Sequence, residues 1–444
     1  HTMLRSWALL GALLLSLSCC QVTLADVGRL VCYYDASSYV REGPGQLSLA
    51  ELEPALTFCN FLVYGYAGID ASSYKIKSLH PELSHNRQHY NQITALRKKH
   101  SHLRILLSVG GDRDIDEFGE PDTAKYLSLL EQPEHRNNFK ASVSAELSQY
   151  GFDGIDLAWQ FPKLRPKKQQ GALKRAWSSF KGLFSSSTID AKAEEHKTQF
   201  ATLVRELRVE LQRSGKQLSL SMLPHVDPQL YIDISSVLPY VDFVNLATYD
   251  FQTPQRDPKQ ADLPAPLHAM SERDATHNVA YQVEYWLNNT ANAQQLNIGV
   301  TSYGRAWQMS RDSGLTGYPP IADTEGAASG GRQTRTPGLL SWPEVCDLLQ
   351  HHLGQGKDKD NEHLRKVGDP TKRYGIYAYR AAGDNGEPGV WVGYEDPTTA
   401  AIKASYAQAQ RLGGVAFHDL SLDDFRGQCA GEKYPILRSI KFKL

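Results

Sequence analysis

The sequence lacks an excess of charge of either sign. It has 48 lysine and arginine residues against 49 aspartate and glutamate residues, which gives a formal net charge of −1 over 444 residues. Because binding to nucleic acid or to an anionic membrane usually involves a basic surface, this balance favours neither partner. The sequence also lacks Cys-x-x-Cys spacings, and its one His-x-x-x-His pair, His85 and His89, does not by itself indicate a zinc site. We therefore expect no metal site and no cofactor.

Long apolar runs are missing except at the N-terminus. There, Arg5 supplies a positive charge, residues 7–17 are apolar, and Thr23-Leu24-Ala25 resembles a cleavage site. This order predicts a secretory signal peptide over residues 1–25 and an extracellular location. A membrane span is not expected, because the stretch is too short and no second one follows.

Cysteine is scarce, with six residues in the chain. Two of them lie in the predicted signal, and the other four are Cys32, Cys59, Cys346 and Cys429. An even number of cysteines in an exported chain predicts two disulfides.

One Asn-x-Ser/Thr sequon occurs, at Asn288-Asn289-Thr290. In an exported protein it predicts N-glycosylation of Asn288 on a surface loop. An unoccupied sequon is the alternative.

The chain does contain a regular alternation of short apolar runs and longer amphipathic stretches. The apolar runs are rich in Val, Ile, Leu and Phe, as parallel strands covered on both faces are. They span residues 29–34, 58–65, 104–109, 154–159, 217–222, 241–247, 297–303 and 414–418. Between two of them, Phe200, Leu203, Val204, Leu207 and Leu211 recur at helical spacing. Eight β units separated mostly by helices predict an α/β fold, the (β/α)8 TIM barrel.

Two gaps between these runs are unusually long. The gap before the eighth run has strand-like segments of its own, so we expect a small α+β domain over residues 304–395, inserted into a barrel of residues 26–303 and 396–444. The other gap, residues 161–194, is strongly basic between Lys163 and Lys181. Trp177 and Phe180 lie within it. We expect this segment to overhang the C-terminal face of the barrel and to contact a partner, and a solvated loop is the alternative.

The run from Gly151 to Gln160 reads Gly-Phe-Asp-Gly-Ile-Asp-Leu-Ala-Trp-Gln. It places acidic residues along an apolar strand and resembles Asp-x-x-Asp-x-Asp-x-Glu, the signature of glycoside hydrolase family 18, the chitinases. Asp153 and Asp156 match the first two aspartates of that signature. Ala158 stands in place of the third, and Gln160 stands in place of the glutamate that protonates the leaving group in the family.

These two replacements remove the catalytic groups that the resemblance implies. A general acid needs a proton that it can release near the working pH, and a neutral amide has none. Ala158 also lacks the carboxylate that would orient and tune that acid. The sequence therefore predicts that the protein is not an enzyme, with Asp153 and Asp156 as structural residues, hydrogen-bonded inside the barrel end. A hydrolase that uses a displaced acid, Asp112 or Glu117, is the alternative.

Other segments extend the resemblance over essentially the whole mature chain. The stretch from Ser108 to Gly111 resembles the motif of the third strand in the family. Tyr249-Asp250 matches the pair on the sixth strand that holds the N-acetyl group of the sugar. The resemblance thus defines a vestigial site of Asp153, Asp156, Ala158, Gln160, Tyr249 and Asp250.

The positions that would stack on sugar rings depart from the family pattern. Asp112 and His418 stand where the family usually has tryptophan, and Ala247 stands where it has methionine. Stacking on aromatic faces is a main source of affinity for sugars, so these changes weaken the expectation of chitin binding. The residues that remain for a ligand groove are Tyr33, Asp112, Trp159 and His418. His418 has no carboxylate or serine partner visible in the sequence, so we expect a hydrogen-bonded core histidine.

On this fold we expect the disulfides Cys32–Cys59 and Cys346–Cys429. The first would join the neighbourhoods of the first two strands. The second would fasten the inserted domain to the C-terminal segment.

Within the family, Gln160 and the enlarged segment 161–194 resemble the insect imaginal disc growth factors. That resemblance implies a secreted, glycosylated, non-enzymatic protein that promotes cell proliferation together with insulin-type signalling. Its implied partner is an unidentified cell-surface receptor or extracellular protein, and the chain is expected to be a monomer. The alternative is a lectin whose partner is a chitin-like oligosaccharide, bound through Tyr33, Trp159, Tyr249 and Asp250.

Overall fold

The computed structural model describes residues 28–164, 190–289, 292–349 and 363–444. The expected signal peptide lies outside the described residues. So do Thr290 of the sequon and residues 165–189 of the basic segment, including Trp177 and Phe180.

Eight parallel strands in the described part of the chain close into a barrel. Val31 on the first strand pairs with Phe61 on the second and with Ala416 on the last, so the sheet has no open edge at this point. The predicted TIM barrel is therefore confirmed. The strands are β1 (Arg29–Asp35), β2 (Phe61–Ile69), β3 (Arg104–Gly110), β4 (Gly154–Ala158), β5 (Gln217–Ser221), β6 (Phe243–Leu246), β7 (Leu296–Thr301) and β8 (Gly414–His418).

Helices cover the outside of the barrel, and their apolar stripes face it. On the helix Ala193–Gln212, Phe200, Leu203 and Leu207 are fully buried, as their helical spacing predicts. The helix Pro133–Tyr150 ends at Gly151, whose φ of 74° is left-handed and suits a residue without a side chain. The described helices are Leu49–Leu52, His89–Ala95, Thr123–Glu131, Pro133–Tyr150, Ala193–Gln212, Pro228–Tyr231, Ile234–Val237, Val279–Asn289, Trp342–Leu349, Pro397–Ala409 and Pro435–Lys441.

A five-stranded antiparallel sheet lies in the chain between β7 and β8. Its own apolar cluster includes Trp307 and Trp391, which are fully buried with ring centroids 5.7 Å apart at 72°. We propose that this sheet is the core of the inserted domain over residues 304–395. In sheet order its strands are Leu339–Ser341, Tyr303–Met309, Gly389–Tyr394, Ile376–Arg380 and Arg365–Val367. The remaining short strands are Ile76–Ser78, against β2, and the pair Gln260–Ala261 and Ile321–Ala322.

Two disulfides connect distant segments. Cys32 on β1 is bonded to Cys59, which precedes β2, and their Cα atoms are 5.9 Å apart. Cys346, on the helix Trp342–Leu349, is bonded to Cys429 after β8, across 83 residues of sequence. This second bond ties the segment between β7 and β8 to the C-terminal part of the chain.

Candidate functional site

The C-terminal ends of the barrel strands open into a cleft of about 790 Å³. In this fold the loops after the strands surround the site where ligands bind. Of the residues that the sequence singles out, the cleft is lined by Tyr33, Asp112, Ala158, Tyr249, Asp250 and His418. It is therefore the candidate functional site, and its geometry decides what these side chains can do.

Asp156 lies at the floor of the barrel and is fully buried. Its carboxylate accepts hydrogen bonds from the hydroxyls of Ser219 and Ser221 at 2.7 Å each, Ser108 at 2.8 Å and Tyr33 at 3.2 Å. Burial raises the pKa of Asp156, and the hydroxyl donors oppose that rise. Four hydroxyls thus satisfy this carboxyl inside the barrel.

Tyr33 connects this floor to the open cleft. Its hydroxyl contacts Asp156 and Ser221, and it accepts a hydrogen bond from the amide of Asn245 at 2.9 Å. Burial, reinforced by the nearby Asp156, raises the pKa of Tyr33 well above its usual range. The hydroxyl is therefore a neutral structural group, and the side chain of Tyr33, which is 1% exposed, offers a ligand little surface.

Gln160, at the position of the family's acid, does not line the cleft. Its side chain is fully buried beside the loop that follows β3. The amide nitrogen donates to the carbonyl of Asp114 at 2.8 Å, and the amide oxygen accepts from the Asp114 N–H at 3.2 Å. A neutral amide satisfies both backbone groups at once, which a carboxylate cannot do because it only accepts hydrogen bonds.

Trp159 is not a groove residue, and its assignment to a ligand groove is wrong. Successive residues on a strand point to opposite faces, so Trp159 faces away from the barrel interior, where Asp156 lies, and packs under the helices. It is almost fully buried, with ring centroids 5.0 Å from Tyr126, 5.7 Å from Phe139 and 5.8 Å from Phe200. Its aromatic face is therefore not available to a sugar.

Asp153 also lies away from the cleft, contrary to the expected place inside the barrel end. It precedes β4, at the opposite end of the barrel from the cleft. Its carboxylate pairs with Arg97 and accepts a hydrogen bond from the Ile105 N–H at 2.8 Å. Asp153 thus has a structural role, but it fastens the start of the strand to its neighbours and takes no part in the vestigial site.

Asp250 projects from the loop after β6 into a charged cluster. Arg305 donates to it in a bidentate pair at 2.8 and 2.6 Å, and the Tyr303 hydroxyl donates at 2.8 Å. Burial alone would raise the pKa of Asp250, but the Arg305 guanidinium outweighs that effect and holds the pKa below its ordinary value. A charged carboxylate is therefore built into this wall of the cleft.

No sequence motif identifies Tyr303 or Arg305 as residues of the site. Both follow β7 at its C-terminal end, where residues of this fold reach the site. That position is the signal that could have identified them. A second pair that no motif indicates is Arg113, in the loop after β3, with Asp35, the last residue of β1, at 2.7 Å.

His418 stacks on the ring of Tyr33, with centroids 4.0 Å apart and planes at 21°. Its Nε2 lies 3.3 Å from the Tyr249 hydroxyl. Burial lowers the pKa of His418 to about 3, against a small opposing effect of Asp250. The ring is therefore neutral at physiological pH and packs with two tyrosines where the family usually has tryptophan.

This low pKa predicts a loss of stability in mild acid. In the unfolded chain His418 takes up a proton near its ordinary pKa of about 6.5, whereas in the folded protein it takes up a proton only near pH 3. The free energy of unfolding therefore falls as the pH falls from about 6.5 towards 3. Between pH 7 and pH 5 we expect wild type to lose about 1–2 kcal/mol more than His418→Phe. Urea unfolding at the two pH values measures the difference. Equal losses in the two proteins would show that His418 does not contribute.

Asp112 does not stand free as a displaced acid. It follows Gly111 with a left-handed φ of 60°, and its carboxylate forms an ion pair with Lys163. One carboxylate oxygen of Asp112 is buried without a hydrogen-bond partner among the described residues. Glu117, the other candidate acid, is exposed and is not part of the cleft lining.

The remaining expectations concern the glycosylation site, metal binding and membrane spans. Asn288 is exposed, but it lies in the last turn of the helix Val279–Asn289 and not on a loop. Among the described residues, we find no group of His, Cys, Asp and Glu side chains that could hold a metal ion. In the same part of the chain, every helix is too short or too polar to cross a bilayer.

Comparisons with known proteins agree with this geometry. Residues 29–423 match the profile of glycosyl hydrolases family 18. The chain is 68% identical over 438 residues to Chitinase-like protein Idgf5 of Drosophila melanogaster, covering 98% of each. It is 50% identical to Imaginal disk growth factor 6 of the same fly, covering 94% of this chain and 93% of that protein.

A solved structure shares the same fold. It is a mutant of the Group II chitinase catalytic domain 2 of Ostrinia furnacalis, in complex with a (NAG)5 oligosaccharide. The two are 29% identical with a TM-score of 0.74, and the match covers 94% of this chain and 96% of that domain.

Proposed function

We propose that this chain, which belongs to glycosyl hydrolases family 18 and, within it, to the chitinase-like imaginal disc growth factors, is a secreted growth factor without hydrolase activity. The names of relatives that are 68% and 50% identical over almost the whole chain support a chitinase-like growth factor. The promotion of cell proliferation and its cooperation with insulin signalling rest on that membership.

The observation that best supports the loss of catalysis is the position of Gln160. Its amide is held by both backbone groups of Asp114 and is fully buried, so no proton donor reaches the cleft from this residue. Ala158 lines the cleft with a methyl group where the family has a carboxylate. Asp156, Tyr249 and Asp250 then remain as structural parts of a vestigial site.

A cell assay combined with an enzyme assay tests this proposal. The purified mature protein is added to cultured insect cells with and without insulin, and cell number is counted. We expect more cells than with buffer alone and a larger increase when insulin is present. Hydrolysis of a fluorogenic chitobioside should stay at the buffer level. Turnover of that substrate, or equal cell counts with and without the protein, would overturn the proposal.

The second candidate function is a lectin for chitin oligosaccharides. The open cleft of about 790 Å³ and the tyrosine and histidine rings along it favour this alternative, as does the oligosaccharide in the Ostrinia complex. Titration of the protein with chitin oligomers, followed by calorimetry, distinguishes the two. Binding that is lost in Tyr249→Ala while cell growth is unchanged would support a lectin activity separate from growth promotion.

The remaining parts of the proposal concern glycosylation and the binding partner. The exposure of Asn288 supports N-glycosylation at this position, which a mobility shift after glycosidase treatment would reveal. The partner is proposed to be a cell-surface receptor or another extracellular protein, bound by a monomer.

A further inference from the structure

The barrel face opposite the cleft carries a concentration of positive charge that the overall charge balance of the sequence conceals. Residues 83–111 contain no aspartate or glutamate, and they include Arg87, Arg97, Lys98, Lys99 and Arg104. We propose that this face holds a binding site for a sulfated polysaccharide of the heparin type. The proposal goes beyond growth promotion, and only the choice of an extracellular polyanion rests on the proposed secretion.

One side of this surface follows the helix His89–Ala95. Lys99 pairs with Glu53 at 3.1 Å, and the N–H of Arg104 donates to the carbonyl of Asn60 at 3.1 Å. Arg104 is the first residue of β3, and its side chain is exposed. Because the strand begins here, these cations lie at the N-terminal face of the barrel, away from the cleft.

The C-terminal helix Pro435–Lys441 supplies the other side of the surface. Arg438 lies over the ring of Phe58 at 5.1 Å, and the ring of Phe442 meets that of Phe58 edge-on with centroids 6.5 Å apart. Phe58 lies in the segment 53–60, whose first and last residues contact the first side. These eight residues span less than about 25 Å even when fully extended, so the two sides form one continuous surface.

We define the basal patch as the six cations of these two sides, which are Lys98, Lys99, Arg104, Arg438, Lys441 and Lys443. Its positive charge is only partly neutralised within the described part of the chain. Lys99 pairs with Glu53, and Arg438 pairs with Glu432 at 2.8 Å. The other four cations form no ion pair with a described residue. Six cations against two carboxylates leave an excess that attracts a polyanion.

The side chains of the basal patch are suited to sulfate groups on a sugar chain. A guanidinium such as that of Arg438 can donate to two oxygens of one sulfate, whereas lysines provide point charges on flexible stems. Phe442, between Lys441 and Lys443 in the sequence, is 71% exposed. An exposed aromatic face beside cations fits a polymer that presents both apolar sugar faces and sulfates. Outside the cell, sulfated polysaccharides are polyanions of this kind.

Calorimetric titration of the purified mature chain with heparin tests the proposal. We expect the affinity to fall steeply as NaCl is raised from about 50 to about 300 mM, because binding to the patch releases counterions from the polymer. Desulfated heparin should bind about tenfold more weakly or less. Hyaluronan, which carries carboxylates but no sulfates, should be weakened to a similar degree.

Two triple variants locate the site. Replacing Lys98, Lys99 and Lys443 by Gln removes three charges from the basal patch and should weaken heparin binding by about tenfold or more. Replacing Lys75, Lys77 and Lys259 by Gln removes three exposed charges elsewhere and should change the affinity by less than about threefold. Both triple variants have the same net charge, so a difference between them reports the position of the charges.

Phe442→Ala tests the contact with the sugar. It should weaken heparin binding by about threefold or more and leave the salt dependence unchanged, because the ring contacts no sulfate. An unchanged circular dichroism spectrum checks that each variant is folded. Growth promotion is measured separately by the cell assay, so neither proposal depends on the outcome of the other experiment.

Four results would each overturn the proposal. The first is a wild-type protein that does not bind heparin at low salt. The second is an equal heparin affinity of the two triple variants. The third is binding of duplex DNA or of phosphatidylserine vesicles as tight as that of heparin at the same salt concentration. The fourth is unchanged heparin binding in Phe442→Ala.

Discussion

Arg305→Met is expected to destabilise the protein by about 3–5 kcal/mol, because it leaves the Asp250 carboxylate buried without its charge partner. The side chain of Asp250 is 8% exposed and that of Arg305 is 19% exposed, so solvent replaces little of the lost interaction. The Tyr303 hydroxyl at 2.8 Å remains as a single neutral donor. Equilibrium urea unfolding of the variant and of wild type at neutral pH measures the cost.

Two matched variants separate this charge effect from the effect of a shorter side chain. Arg311→Met breaks the pair with Asp384, whose side chains are both largely exposed, and should change stability by less than about 1 kcal/mol. The double variant Arg305→Met with Asp250→Asn removes both charges and should recover part of the loss. If Arg305→Met costs no more than Arg311→Met, the buried pair does not stabilise the fold as argued.

The barrel could be predicted because its strands contain strong local signals. Runs of Val, Ile and Leu at regular spacing, separated by stripes such as that from Phe200 to Leu211, admit few folds besides the eight-stranded barrel. The positions of Asp156 and Ala158, on the same side of β4, also follow from the period of a strand. The same period, applied to Trp159, predicts that its ring faces the helices and not the cleft. The error at Trp159 was therefore avoidable from the sequence.

Other features could not be predicted because they depend on contacts between distant loops. The pair formed by Asp250 and Arg305 joins residues 55 positions apart in the chain, and no local pattern links them. Gln160 bonds to Asp114 across 46 positions, through backbone groups that any residue type except proline would provide at position 114. The sequence shows that Gln160 cannot act as a general acid. Only the fold shows that its amide is hydrogen-bonded to the backbone N–H and C=O of Asp114 and does not line the cleft.

Gln160→Glu is expected to destabilise the protein by about 3–4 kcal/mol at neutral pH and to create no hydrolase activity. One oxygen of the introduced carboxylate can accept a hydrogen bond from the Asp114 N–H. The other oxygen takes the place of the amide nitrogen, which now donates to the Asp114 carbonyl at 2.8 Å. Two acceptors then face each other in a site with no solvent exposure. Ala158 still provides no carboxylate to orient an acid, and residue 160 does not line the cleft.

The pH dependence of this cost distinguishes a buried charge from a packing defect. Burial raises the folded pKa of an introduced carboxyl above the ordinary value of about 4.3. The loss of folding stability is therefore complete above the folded pKa and disappears below about pH 4.3. At that pH the carboxyl is protonated and can donate to the Asp114 carbonyl. Urea unfolding of the variant and of wild type from pH 7 to pH 4 should show their stabilities converging. Gln408→Glu, on an exposed helical surface, is the control and should stay within about 1 kcal/mol of wild type across this range. A pH-independent loss would indicate that packing is the cause. Hydrolysis of chitin oligomers by Gln160→Glu would show that position 160 still reaches the substrate cleft.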